Sequence, residues 1–278
     1  MDSLIPRPYA DLLSAADTTD PVDTVTERLM TGEQSVLSAI GWGRGECPAA
    51  PGPLTRVEAT CRAAVLVALA ARHLLGPELI TAAVIGRRLA VQLHTLILAR
   101  YVPGVSHISV FLTDAPAASG RAAAPAPDGA DQVPSAIDAQ LVDELELAGI
   151  VLVRATSPAR AAFGANLVVV AGPGDGDRYP GAPVRLARGA LVVNASGGDL
   201  PQDLADQVGH VFVDDMSLVG RAAEHGLSRP AQVPDRRRSR YRLVGDLRQV
   251  VVAEHPGRTG QEQVLLVELL SSAVPARC

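Results

Sequence analysis

Between residues 80 and 215 the chain switches its hydrophobic period repeatedly, and this alternation is the tightest constraint on its fold. "TAAVIG", "HISVFLT", "IVLVRA", "NLVVVAG", "GALVVNASG" and "HVFVDD" are short apolar runs with β-branched content, as strands require. Between them lie helical stretches: "LAVQLHTLILARYV", "AIDAQLVDELELAG", the short "SPARAAFGA" and "PQDLADQVG". Strands that alternate with helices predict a parallel sheet covered on both faces. Composition agrees, since 47% of the 278 residues are hydrophobic and only 3% aromatic, leaving Ala, Val and Leu to fill the layers. Ahead of the alternation, residues 56–73 read as one long apolar helix, too rich in Ala and Leu on every side to face solvent. A further helix is expected around "DPVDTVTERLMTGEQSVLSAI", and the Ala/Pro/Gly-rich residues 115–135 read as a surface loop.

Several function classes are excluded by residue type. All 25 basic residues are arginine, so no Schiff-base lysine, P-loop lysine or lysine general base is available. The formal charge of −5 argues against a nucleic-acid surface, and the one basic run, Arg236–Arg238 with Arg240, lies in a Pro-bounded polar stretch that reads as a solvated loop. Cys47, Cys61 and Cys278 form no CxxC pair, and the six histidines show no metal-ligand spacing, so neither a disulfide framework nor a metal site is expected. His94 reads as a core residue or one facing the crevice. No GxSxG elbow is present. "AAVLVALAA" is too short to span a bilayer before Arg72 and His73 interrupt it, and "MDSLIPRPYADLL" lacks a signal-peptide pattern, so a cytoplasmic protein without membrane attachment is expected.

Chemistry enters at "VIGRRLAVQ", residues 84–92, where a strand runs through a glycine into a helix as a phosphate-binding turn would. Gly86 is in place, but Arg87 and Arg88 follow it, and Arg88 stands where a second glycine would let a pyrophosphate approach the backbone. Two guanidiniums could grip a phosphate from the side. At the end of the next strand, Phe111 and Leu112 hold the place of a ribose-binding acid, and Asp114 comes two positions late. The glycine-rich "AGPGDGDRYPG" opens no long helix and reads as a loop.

Four stretches in order resemble the ornithine cyclodeaminase/μ-crystallin family. They are "TCRAAVLVALAARHLL" leading into "AAVIG", then "GALVVNASGGDLPQDL", "HVFVDD" and "VGDLRQVVVAEHPGRTGQEQVLLVELLSSAV". The resemblance implies an α/β, Rossmann-like parallel sheet over residues 76–228. It also implies a smaller dimerisation or substrate unit made from residues 1–75 and a returning C-terminal segment, 229–278, and hence a homodimer. Family members use NAD(P) to take a hydride from the α-carbon of an amino acid.

Residue by residue, the resemblance puts Arg62 at the arginine that holds the substrate carboxylate and Asp199 at the catalytic acid/base, with Asn194, Ser196 and Gly197 shaping the substrate crevice. The residue types suit those roles, because a guanidinium fork matches a carboxylate and a carboxyl at a parallel strand's end can move a proton. Each also has a structural reading, Arg62 as an ordinary helix charge and Asp199 as a cap ahead of Pro201. "HPGRTG", with Arg258 and Thr259, is either a turn or a ligand contact. The family's catalytic lysine has no counterpart, and the segment before Arg56 is short for the family. Three readings follow. The first is a redox-neutral cyclase or lyase of specialised metabolism on a carboxylate- or enolate-bearing small molecule, without NAD. The second is an NAD(P)-dependent deaminase or imine reductase in which Gly86, Arg87 and Arg88 bind the cofactor. The third is a non-catalytic ligand-binding protein.

Overall fold

The computed structural model describes residues 20–33, 53–75, 80–114, 137–171, 184–198, 200, 202–219 and 242–273. Eight strands form one sheet: β1 (Ile80–Gly86), β2 (Val105–Leu112), β3 (Val151–Arg154), β4 (Leu167–Ala171), β5 (Leu191–Ala195), β6 (His210–Val213), β7 (Arg242–Asp246) and β8 (Leu265–Glu268). Every pairing is parallel, and the spatial order is β3-β2-β1-β4-β5-β8-β6-β7. The helices are α1 (Pro21–Met30), α2 (Pro53–Leu74), α3 (Arg88–Tyr101), α4 (Ala139–Leu147), α5 (Pro158–Ala162), α6 (Gln202–Ala205), α7 (Leu247–Val251) and α8 (Leu270–Ala273). The α/β class and each alternating segment from "TAAVIG" to "HVFVDD" stand as read from the sequence.

The pleat sorts side chains into two cores. Val84, Ile108, Val110, Val169, Val193 and Val267 face α2 and α3, whereas Ala83, Ile85, Val168, Val192 and Leu266 face the layer of α5 and α6. α2 lies between its neighbouring helices and the sheet, with Ala64 and Leu66–Ala71 all buried, which explains why the helix shows no polar face there. At the end where the strands begin, Arg72 of α2 pairs with Asp20 and Asp23 of the α1 turn and donates to the Tyr101 carbonyl, tying three helix ends together.

Four of the eight described helices begin on their own capping residue. Asp20, Asp138, Ser157 and Asp246 each accept a backbone N–H of the helix that follows, and Asp246 with Gln249 completes a reciprocal capping box. α3 is different, because its cap residue, Arg87, offers no side-chain acceptor.

The C-terminal segment departs from expectation. Residues 242–268 supply β7 and β8 to the same sheet rather than a separate unit, and β8 inserts between β5 and β6. The reason is burial on both faces. Leu265, Leu266 and Val267 form a continuous apolar run that only an interior parallel strand can hide. Among the described residues there is no second sheet, and α1 packs against α2 and α7. The 115–135 stretch, the "AGPGDGDRYPG" loop beyond Ala171 and the Arg236–Arg240 run lie outside the described residues.

Candidate functional site at the strand C-termini

In this sheet the chain leaves β1 towards β2 and β3 on one side and crosses to β4 and β5 on the other. The crevice at such a reversal, beyond the strand C-termini, is where open parallel sheets bind ligands. Gly86 and Ala171 end the two strands that flank it and are register partners. A Cβ on Gly86 would come 1.6 Å from the Ala171 carbonyl oxygen, so strand packing alone requires glycine there.

The turn after Gly86 carries the most informative contact. The Arg88 backbone N–H, the first of α3, points at the carboxylate of Asp114, with Oδ1 at 3.0 Å and Oδ2 at 3.2 Å. Asp114 is brought there by a continuation of the β1–β2 ladder, in which the Thr113 N–H donates to the Gly86 carbonyl at 2.8 Å. The acid that follows β2 two positions late therefore caps α3. A helix N-terminus favours a negative charge, and here the protein supplies its own. A bound pyrophosphate would have to stand beside that carboxylate, like charge against like. Arg87 and Arg88 both project into solvent, and neither guanidinium has an acidic partner among the described residues.

Beyond β5 a second turn is built from side chains. Asn194, 1% exposed, donates through Nδ2 to the Gly198 carbonyl and to Glu268 Oε2 of β8, both at 2.8 Å. Its Oδ1 accepts from the Ser196 hydroxyl at 2.6 Å and the Ser196 N–H at 3.2 Å, while Ser196 Oγ accepts the Gly198 N–H at 3.0 Å. Gly197 has φ +70°, a conformation that favours glycine. Thus Asn194, Ser196 and Gly197 hold the turn that leads to position 199. Asp199 itself lies outside the described residues.

Arg62 sits at the same end of the sheet. The Leu74 carbonyl, at the C-terminus of α2, accepts from Arg258 Nε at 2.9 Å beside the start of β8, so α2 runs back towards the strand C-termini. Arg62 lies roughly 18 Å along that helix at 1.5 Å per residue, close to the roughly 20 Å that β1 spans. Its side chain is 38% exposed, with Glu58 Oε2 at 4.0 Å. Next to it, burial and then the Glu58 charge push the Cys61 thiol up to about 11, which keeps it protonated and unreactive.

Four features escaped the sequence reading or were read less specifically. The capping role of Asp114 depends on a ladder contact that no local pattern reveals. Asp214, fully buried at the end of β6, accepts the N–H groups of Asp215 at 3.0 Å and of Leu270 and Ser271 at 2.9 Å, docking α8. Burial pushes its carboxyl up to about 6 against the lowering effect of those donors. "HPGRTG" is a clip at the opposite end of the sheet: Arg258 joins the Leu74 and Gln263 carbonyls, and Gly257, at φ +69°, packs under Leu74. His94 is a core residue. Its Nδ1 lies 2.8 Å from the Ala90 carbonyl, and burial pushes it down to about 4, so it is neutral. Among the described residues no group of His, Cys, Asp or Glu could hold a metal ion, and no helix is long and apolar enough to cross a membrane.

No family model matches the chain, and no curated protein matches its sequence. Solved structures do match its fold. CmnK superposes with a TM-score of 0.52 at 18% identity over 77% of this chain and 58% of that one. An archaeal alanine dehydrogenase dimer with bound NAD gives 0.50 at 14% identity, over 78% and 61%. Lysine cyclodeaminase, in a structure on recognition of L-lysine, L-ornithine and L-2,4-diaminobutyric acid, gives 0.50 at 17% identity, over 81% and 58%. The chain thus spans about three fifths of the length of these structures. CmnK and lysine cyclodeaminase are ornithine cyclodeaminase/μ-crystallin family members, and the chain has the Rossmann-like α/β fold they share.

Proposed function

We propose that the chain is an ornithine cyclodeaminase-like enzyme that carries out a redox-neutral cyclisation or elimination on a small carboxylate- or enolate-bearing substrate, in specialised metabolism, without a nicotinamide. The observation that carries this reading is the Asp114 carboxylate on the first N–H of α3, where a dinucleotide would need to lay its pyrophosphate. Arg88 at the second glycine position and the lysine-free sequence support it.

In this mechanism Arg62 holds the substrate carboxylate, and with it the enolate formed next to it, through a guanidinium fork. Asp199 takes the proton from the carbon next to the carboxylate. The electron pair left behind forms the new double bond as the leaving group departs with its own pair, so no net oxidation occurs. The Asn194–Ser196–Gly198 turn, braced by Glu268, directly precedes Asp199 in the chain and supports this reading. The functional unit in this reading is a homodimer.

A second reading is favoured by one observation. Arg87 and Arg88 are exposed beside the crevice without acidic partners among the described residues, and together they could read a cofactor phosphate. The test is a titration of the protein and of Asp114→Ala with NADH and NADPH, followed by nicotinamide fluorescence. The redox-neutral reading expects no saturable binding by the native chain and a gain of binding in Asp114→Ala. Micromolar binding by the native chain, abolished in Arg87→Gln/Arg88→Gln, overturns it in favour of hydride transfer.

A further inference from the structure

We draw no further inference here: the strongest candidate, the exposed Arg87 and Arg88 pair at the turn between β1 and α3, belongs to the site already described and rests on a helix N-terminus that the Asp114 carboxylate already caps.

Discussion

Gly86 and Ala171 stand so close across the β1–β4 pair that any Cβ at position 86 would meet the Ala171 carbonyl oxygen at 1.6 Å. The glycine therefore serves the sheet whether or not a ligand approaches it. Gly86→Ala should destabilise the fold by roughly 3 kcal/mol, because the obstacle is backbone that cannot rotate away. Urea unfolding measures this, and a loss under roughly 1 kcal/mol would mean the strands separate easily there.

Asp114 is expected to have two separable effects. Asp114→Ala removes the cap of α3 and should cost about 1 kcal/mol in chemical unfolding. The same variant should bind inorganic pyrophosphate more tightly than the native chain at low salt, since the competing carboxylate is gone. Equal affinities in calorimetry would show that Asp114 does not control anion access.

Arg258 should matter to stability and leave the crevice untouched. It bridges the Leu74 and Gln263 carbonyls at the end of the sheet where the strands begin, away from Gly86 and Asn194. Arg258→Ala should lose roughly 2–4 kcal/mol, as two charge-assisted bonds to buried carbonyls disappear. Ligand binding at saturating folded protein should be unchanged, and a selective loss of binding would restore the reading of "HPGRTG" as a ligand contact.

Two buried groups should give opposite pH dependences. Asp214 titrates near 6 in the fold, above its ordinary 3.8, so the folded chain holds that proton more tightly. Its contribution is fully present below about 4 and is lost as pH rises through 6, a change of about 3 kcal/mol. His94 is pushed from 6.5 down to about 4, so its contribution is present above 6.5 and is lost as pH falls towards 4, again by about 3 kcal/mol. Relative to the native chain, Asp214→Asn should therefore become comparatively more stable as pH rises from 4 to 6, and His94→Leu comparatively more stable as it falls. Thermal unfolding across that range checks both, and parallel curves would mean that neither group titrates there.

The turn beyond β5 in the candidate site was legible because its signal is local. "GALVVNASGG" marks the end of β5 and its glycine turn because burial, a small-residue turn and a polar strand end are all written in consecutive residues. The partners of that turn were not legible. Glu268 reaches Asn194 only because β8 lies beside β5, and Asp114 reaches Arg88 only because the β1–β2 ladder continues past the strands.

By itself the sequence determined the class of fold, the chemistry that lysine would have supplied and cannot, and the position of nearly every strand and helix from 80 to 215. Each of these depends on residue type or on a period of two or 3.6, which neighbouring residues carry. Tertiary structure alone decided that β8 inserts between β5 and β6, that Asp114 caps α3 and that Asp214 docks α8. Strand order and hydrogen bonds between distant segments follow from which apolar faces find cover once the whole chain collapses, and no window of sequence contains that competition.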